Sequence, residues 1–407
     1  MAIKSRARTL LRVAGSKDLR YLMVASLLFY LGFSVYNTVF VNFVAEEIGI
    51  SATELGVLES VREIPGLLSV LIAAVTMWLL EPVLAFIALA VMAIGVINYL
   101  HVDAVWSLVL FSLVWSIGFH SWQPLASSMA LRMGPAGEEG GRLGLLRSVS
   151  NVGGLAGIAL VFIMVRFLSI PFRPMFVVAG IAILVGAFAL LRISRMETVQ
   201  PQKIVLRRQY WLFYVLQFLN GTRRHIFMTF AIFALVRVYQ TSLETVSILS
   251  FVNQIASVGA GYIAGRLIDR HGERKVLALG FAALTAIFLG YAFIEVVWIL
   301  FALYVVDNVM FSLSVGIDTY GKKMLIRESD LRPTMVTGQT MNHVAAVVVP
   351  ITGGLLWEAF GYFVPFVAGA AVAAISVWAS LLIVRSGPSA APDAPPKRVK
   401  APEAAEF

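Results

Sequence analysis

LETVSILSFVNQIASVGAGYIAGRLIDRHGERKVLALGFAALTAIFLGYAFI, residues 243–294, decides the architecture. Two largely apolar runs, 243–266 and 276–294, flank a short loop crowded with Asp269, Arg270, Glu273, Arg274 and Lys275. A helix rises about 1.5 Å per residue and the hydrocarbon core of a bilayer is about 30 Å thick, so each run is long enough to cross it. The pair reads as a helical hairpin through a membrane, turning on a basic loop.

Working outward, the same test gives twelve spans: 21–45, 54–79, 83–100, 104–131, 143–165, 174–192, 209–236, 243–266, 276–294, 296–320, 334–357 and 363–384. Composition agrees. Of 407 residues 59% are hydrophobic and 14% charged, with mean hydropathy +0.85, whereas a soluble domain carries about 25% charged residues. That excludes an ordinary soluble enzyme, and a soluble DNA reader as well, despite the net charge of +9. Zero cysteines exclude a disulfide framework and any thiolate metal or redox site. Residues 1–20 are too polar for a cleavable signal, and the apolar run after them is as long as a full span.

The distribution of the +9 is a topology signal. With a cytoplasmic N-terminus, the inside segments hold 26 of the 32 Lys and Arg residues, and the outside loops only Arg166, Arg173 and Arg237. Cytoplasmic loops carry such an excess. An even number of spans returns the C-terminus to the same side, in a cytoplasmic (inner) membrane. The expected organisation is a basic N-terminus (1–20), a six-helix bundle (21–192), a cytoplasmic linker (193–208), a second six-helix bundle (209–385) and a tail (386–407). The tail's Pro/Ala-rich composition predicts disorder.

Polar residues are spread with a period of three helices. Spans three, six, nine and twelve have no charge in their interiors, which suits a lipid-facing or scaffold position. The others carry charges, amides, His or hydroxyls, which face a bundle interior or a water-filled cavity. Weak internal matches, Tyr21 with Tyr210 and Gly32 with Gly221, point the same way, to two duplicated halves.

The twelve spans, the central linker and the segment Gly265-Arg-Leu-Ile-Asp269-Arg270-His-Gly272-Glu-Arg274-Lys275 resemble the major facilitator superfamily. That superfamily places a G-x-x-x-D-R-x-G-x-[RK]-[RK] loop between spans eight and nine. The resemblance covers about residues 20–385 and implies an all-α membrane protein of two pseudo-symmetric six-helix bundles. It further implies alternating access to a midplane site, with Gly265, Asp269, Arg270, Gly272 and Arg274 as gating residues. Gly265, Gly261 and Ser257 would give a neighbouring helix a small face to approach. Asp269 would cap a helix N-terminus in one state only; the plainer reading is a solvated topogenic loop. The loop between spans two and three, Trp78-Leu-Leu-Glu81-Pro82, lacks the Gly and the basic residues of the motif. Span five, with Gly144, Gly153, Gly154 and Gly157, only approximates the antiporter pattern, so import and export both stay open.

Candidate substrate-binding or proton-coupling residues follow from charge inside the spans. Glu59, Arg62 and Glu63 share one helix face at spacings of three and four, just before Pro65-Gly66. They read either as a site or as a structural ion-pair cluster. Gln217, Asn220 and Arg224 share a face of span seven, from which Arg223 points about 100° away. Asp307 in span ten is a partner for a span-seven Arg, again functional or structural. Span four offers His120 and Trp122 within a stripe of Ser116, Gln123 and Ser127, and span eleven offers Asn342-His343. Each lone His reads as packing or as a proton relay. Glu59, Glu63 and Asp307 balance Arg62, Arg223 and Arg224, a neutral set suited to exchanging partners as substrate or a proton enters.

These readings predict a secondary active transporter for a small organic solute, with protons as coupling ion. Arg62 and Arg224 on opposite halves favour an anionic or zwitterionic solute. One alternative is a proton-driven exporter of amphiphilic or cationic drugs; another is a non-transporting, transporter-like receptor. No Walker loop, metal-ligand spacing or nucleophile elbow is present, so no enzyme, cofactor or metal is expected. The expected partners are the substrate, protons and the lipid bilayer, without nucleic acid, and the expected state is a monomer.

Overall fold

Helix starts are set locally. Ser51 and Glu54 form a reciprocal capping box, and Ser16 and Ser242 cap through their side chains. The computed structural model of the chain describes residues 16–135, 137–198 and 206–383. The expected tail, 386–407, the first fifteen residues of the basic N-terminus and linker residues 199–205 lie outside the described residues.

The described residues form twelve long helical segments. In the first half these are α1 (Lys17–Asn42, continuing as a π turn Phe43–Ile48), α2 (Ala52–Leu67 and Ser69–Thr76), α3 (Glu81–Ile97), α4 (Val105–Arg132), α5 (Glu139–Arg166) and α6 (Phe172–Leu190). In the second they are α7 (Trp211–Arg237), α8 (Leu243–His271), α9 (Glu273–Phe293), α10 (Val297–Met310, a 3₁₀ turn Phe311–Ser314, then Val315–Lys323), α11 (Leu331–Phe360) and α12 (Val364–Leu381). Ten are long and apolar enough to cross a membrane; the other two are α2, broken into helices of 16 and 8 residues and carrying charges, and α7, loaded with charged and amide side chains. The break in α2 falls at Leu68, just after Pro65-Gly66, where a kink is expected. The only strand-like pairing among the described residues is the isolated bridge between Leu80 and Glu197.

The packing repeats six helices on. α1 lies against α5 and α6, and α7 against α11 and α12; α3 packs on α4 and α6, and α9 on α10 and α12. The halves meet chiefly where α2 packs on α11 and α5 on α8, an exchange that the same pseudo-symmetry generates. The polar-blank helices α3, α6, α9 and α12 form no substantial contact with the opposite half. They expose large apolar side chains such as Ile94, Phe188, Leu279 and Trp378, as the period-three pattern predicts.

Contacts between the halves are not evenly distributed along the helices. We call the end that carries the 193–208 connection the linker face, and the opposite end the far face. At the far face, Asn42 Nδ2 donates to the Thr241 carbonyl at 3.1 Å and Arg237 to the Ala45 carbonyl at 3.3 Å. Glu358 accepts from the Ala52 backbone N–H at 2.8 Å, so one half caps the N-terminus of α2 in the other. Near the middle, Gln254 donates to Asn151 at 3.3 Å. The polar contacts described at the linker face stay within one half, and α4 and α5 form no substantial contact there with α10 and α11. The far face is closed and the linker face is parted.

Candidate functional site

α2 brings its three charges to different partners. Arg62 Nη1 bonds Glu59 Oε1 at 2.5 Å, and its guanidinium lies 4.6 Å from the Trp115 ring centroid and 5.0 Å from that of Phe40. A cation over aromatic faces gains electrostatic stabilisation where water is scarce. Glu63 turns away from Arg62, toward imidazoles. Its Oε2 lies 3.1 Å from His343 Nδ1 of α11 and 3.6 Å from His120 Nε2 of α4. The expected trio is thus an ion pair plus a cluster that joins the two halves. Ser116 donates to the Arg62 carbonyl and lies 3.0 Å from His120 Nδ1, which ties α4 to α2.

In the second half the two arginines divide as the 100° offset predicts. Arg223 Nη1 bonds Asp307 Oδ1 at 2.8 Å, with both side chains buried at 0% and 2% exposure. Arg224 stacks over the Phe311 ring instead, with no carboxylate partner among the described residues. Gln217 donates to Asp318 at 2.9 Å, Asn220 is buried, and His225 lies 3.4 Å from Asn342 Oδ1. Trp122 is buried at 1% exposure, packs on Phe29 at 5.7 Å and contributes to the lining of the adjoining cavity.

Between α1, α4 and α5 lies a cavity of about 460 Å³, lined by Tyr30, Gln123, Ser127, Arg147 and Asn151. Arg147 escaped the sequence reading because it sits only a few residues inside span five and counts there as a loop charge. Asp318 escaped for the same reason at the end of span ten. The Glu63–His343 contact escaped because helical spacing reports one helix face at a time.

At the linker face, Gly265 and Gly261 have open space where a side chain would project, and Asp269 and Arg270 are exposed. The acid that is paired is Glu273, bonded to Lys323 at 2.5 Å. In the first half Glu81 is buried and paired with Arg132, while its backbone N–H donates to the Met196 carbonyl at 2.8 Å. The degenerate loop between α2 and α3 is therefore tied within its own half.

Two helical halves that seal one face, part at the other and hold polar clusters midway define a membrane transporter of the alternating-access kind. The Major Facilitator Superfamily model matches residues 22–317 and 213–406, and the chain belongs to that family. The fold is similar to that of the crystal structure of a point mutant of the nucleoside transporter NupG. The TM-score there is 0.76 at 14% identity, covering 90% of this chain and 99% of that one. It is also similar to a bacterial homologue of the human lysosomal transporter Spinster in an inward-facing, unoccupied conformation. That TM-score is 0.64 at 14% identity, covering 90% and 94%. No curated protein matches the sequence.

Proposed function

We propose that the chain carries a small anionic or zwitterionic organic solute across a cytoplasmic membrane, coupled to protons, as a monomer with both termini cytoplasmic. On the positive-inside reading the linker face is cytoplasmic, so this conformation is inward-facing. The observation that carries the substrate class is the charge balance of the midplane. Glu59 and Asp307 are each bonded to an arginine and Glu63 faces two imidazoles, whereas among the described residues Arg224 has no acid and Arg147 lines the cavity without one. Unclaimed guanidinium favours a carboxylate or phosphate and repels a cationic drug. Glu59 is the proton carrier in this reading. Protonating it releases Arg62 to the substrate, whereas the sealed Arg223–Asp307 pair is structural.

The test is uptake of organic anions into proteoliposomes driven by an inward proton gradient. Glu59→Gln is expected to abolish gradient-driven accumulation while sparing substrate exchange, and Arg224→Ala to abolish both. Gradient-driven accumulation that persists in Glu59→Gln would sink proton coupling through this residue. Preferential carriage of cations by Arg224→Ala protein as well as the parent would sink the substrate class.

A further inference from the structure

We propose that Glu63, His120 and His343 form a site for a divalent first-row transition-metal ion, Zn²⁺ being the best match, and that the bound ion joins the two halves. One ligand atom from each of the three residues falls in a group whose members all lie within 4.8 Å of one another. In a tetrahedral zinc site with bonds of about 2.0–2.2 Å, ligand atoms lie about 3.3 Å apart. The two distances to Glu63 Oε2, 3.1 and 3.6 Å, bracket that value. Two imidazoles and a carboxylate make a borderline-soft set with one position open, which suits Zn²⁺ and disfavours Mg²⁺ or Ca²⁺.

Three further features favour a cation at this place. Ser116 has a single hydroxyl proton and donates it to the Arg62 carbonyl, so at its contact with His120 Nδ1 the hydrogen comes from the imidazole. A neutral His120 then turns its Nε2 lone pair toward the Glu63 carboxylate, a repulsion that either a proton on Nε2 or a metal ion between the two relieves. Hydrogen bonding that fixes the tautomer and aim of an imidazole is the usual support of a metal-bound His. Gly66, one helical turn beyond Glu63 on α2, leaves the space that both rings use. A Cβ there would lie 2.6 Å from His343 Cε1 and 2.7 Å from His120 Nε2. Finally, His343 converges on the same carboxylate oxygen as His120. Two imidazole N–H groups can share that oxygen only if both rings present a proton to it, whereas one metal ion takes a lone pair from each of the three ligand atoms.

Because His343 belongs to α11 and the other two ligands to α2 and α4, an occupied site links the halves at mid-membrane. This inference does not depend on what the chain transports. The experiment is Zn²⁺ equilibrium dialysis on the purified, chelator-stripped full chain, paired with Co²⁺ absorption spectroscopy. We expect one saturable Zn²⁺ per chain and an intense tetrahedral Co²⁺ spectrum. Affinity should fall at least about 100-fold in His120→Ala and His343→Ala, and about 10–100-fold in Ser116→Ala and Gly66→Ala, which retain every ligand. His225→Ala and His271→Ala should match the parent. No saturable binding, unchanged affinity in His343→Ala, or a weak octahedral Co²⁺ spectrum in the parent would overturn the site; the last needs no variant to fold. The chain lacks cysteine, so spin labels at Leu131→Cys and Lys322→Cys can follow the linker face. Zn²⁺ should narrow their distance distribution in the parent background and not with His343→Ala; a distribution indifferent to Zn²⁺ would overturn the bridging.

Discussion

Glu81 and Glu273 occupy the same place in the two halves. Each is the first residue of the third helix of its half, and each pairs with a basic residue near the end of the following helix, Arg132 or Lys323. Their surroundings differ. The Glu81 side chain is 2% exposed and Arg132 35%, against 10% for Glu273 and 63% for Lys323. Breaking a buried ion pair strands a charge, while breaking an exposed one costs little. Glu81→Ala is therefore expected to cost about 2–3 kcal/mol and Glu273→Ala less than about 1 kcal/mol. Thermal unfolding in detergent gives the order; equal losses would contradict it.

The Arg223–Asp307 pair is closed to solvent on both sides. Asp307→Asn should leave an uncompensated guanidinium and cost about 3–5 kcal/mol, while replacing both residues together with Met and Leu should recover most of the loss. Melting temperatures of the two singles and the double complete a cycle. A double as unstable as the singles would mean that the pair is not isolated from its neighbours.

Gly56 of α2 faces the Pro350 carbonyl of α11 so closely that a Cβ would overlap it, and Gly354 of α11 faces the Ala52 carbonyl in the same way. Gly56→Val should push the two helices apart at the far face. The thiol introduced by Thr53→Cys should then react with an impermeant maleimide several-fold faster than in a Gly56 background. Unchanged labelling would show that the contact does not hold the face closed.

Two charged contacts at the far face should behave differently. Glu358 accepts a backbone N–H of α2 at 2.8 Å, whereas Arg166 and Glu244 lie 3.6 Å apart with side chains 59% and 39% exposed. Glu358→Ala is expected to destabilise the closed far face by about 0.5–2 kcal/mol, as loss of a cap does, and Arg166→Ala to be nearly silent. The same labelling assay on Thr53→Cys protein measures both.

The helices were legible in the sequence because length, hydropathy and Gly/Pro punctuation are local. The spans 54–79 and 296–320, for example, lie within three residues of α2 and α10 at both ends. Facing was legible in part. The offset between Arg223 and Arg224 correctly sends them to different surroundings, Asp307 and Phe311. Partnership across the chain was not. Glu63 meets His343 across 280 positions, and no periodicity within α2 distinguishes that imidazole from Arg62, one residue away. In the basic loop, the family motif singles out Asp269, while the ion pair seen in this conformation is that of Glu273, the first residue of the next helix, with Lys323.

Toward the far face, α2 meets α11 through Gly56 and Gly354, each set against a carbonyl oxygen of the other helix. Such a surface acts as a bearing. At those two points few side chains stand in the way of sliding, so the resistance to motion sits in the polar contacts around them. The cap from Glu358 and the contact of His343 with Glu63 lie along the seam of α2 and α11, and the amide of Asn42 holds α1 to Thr241 beside it; these are the contacts that any rocking of the halves would have to break.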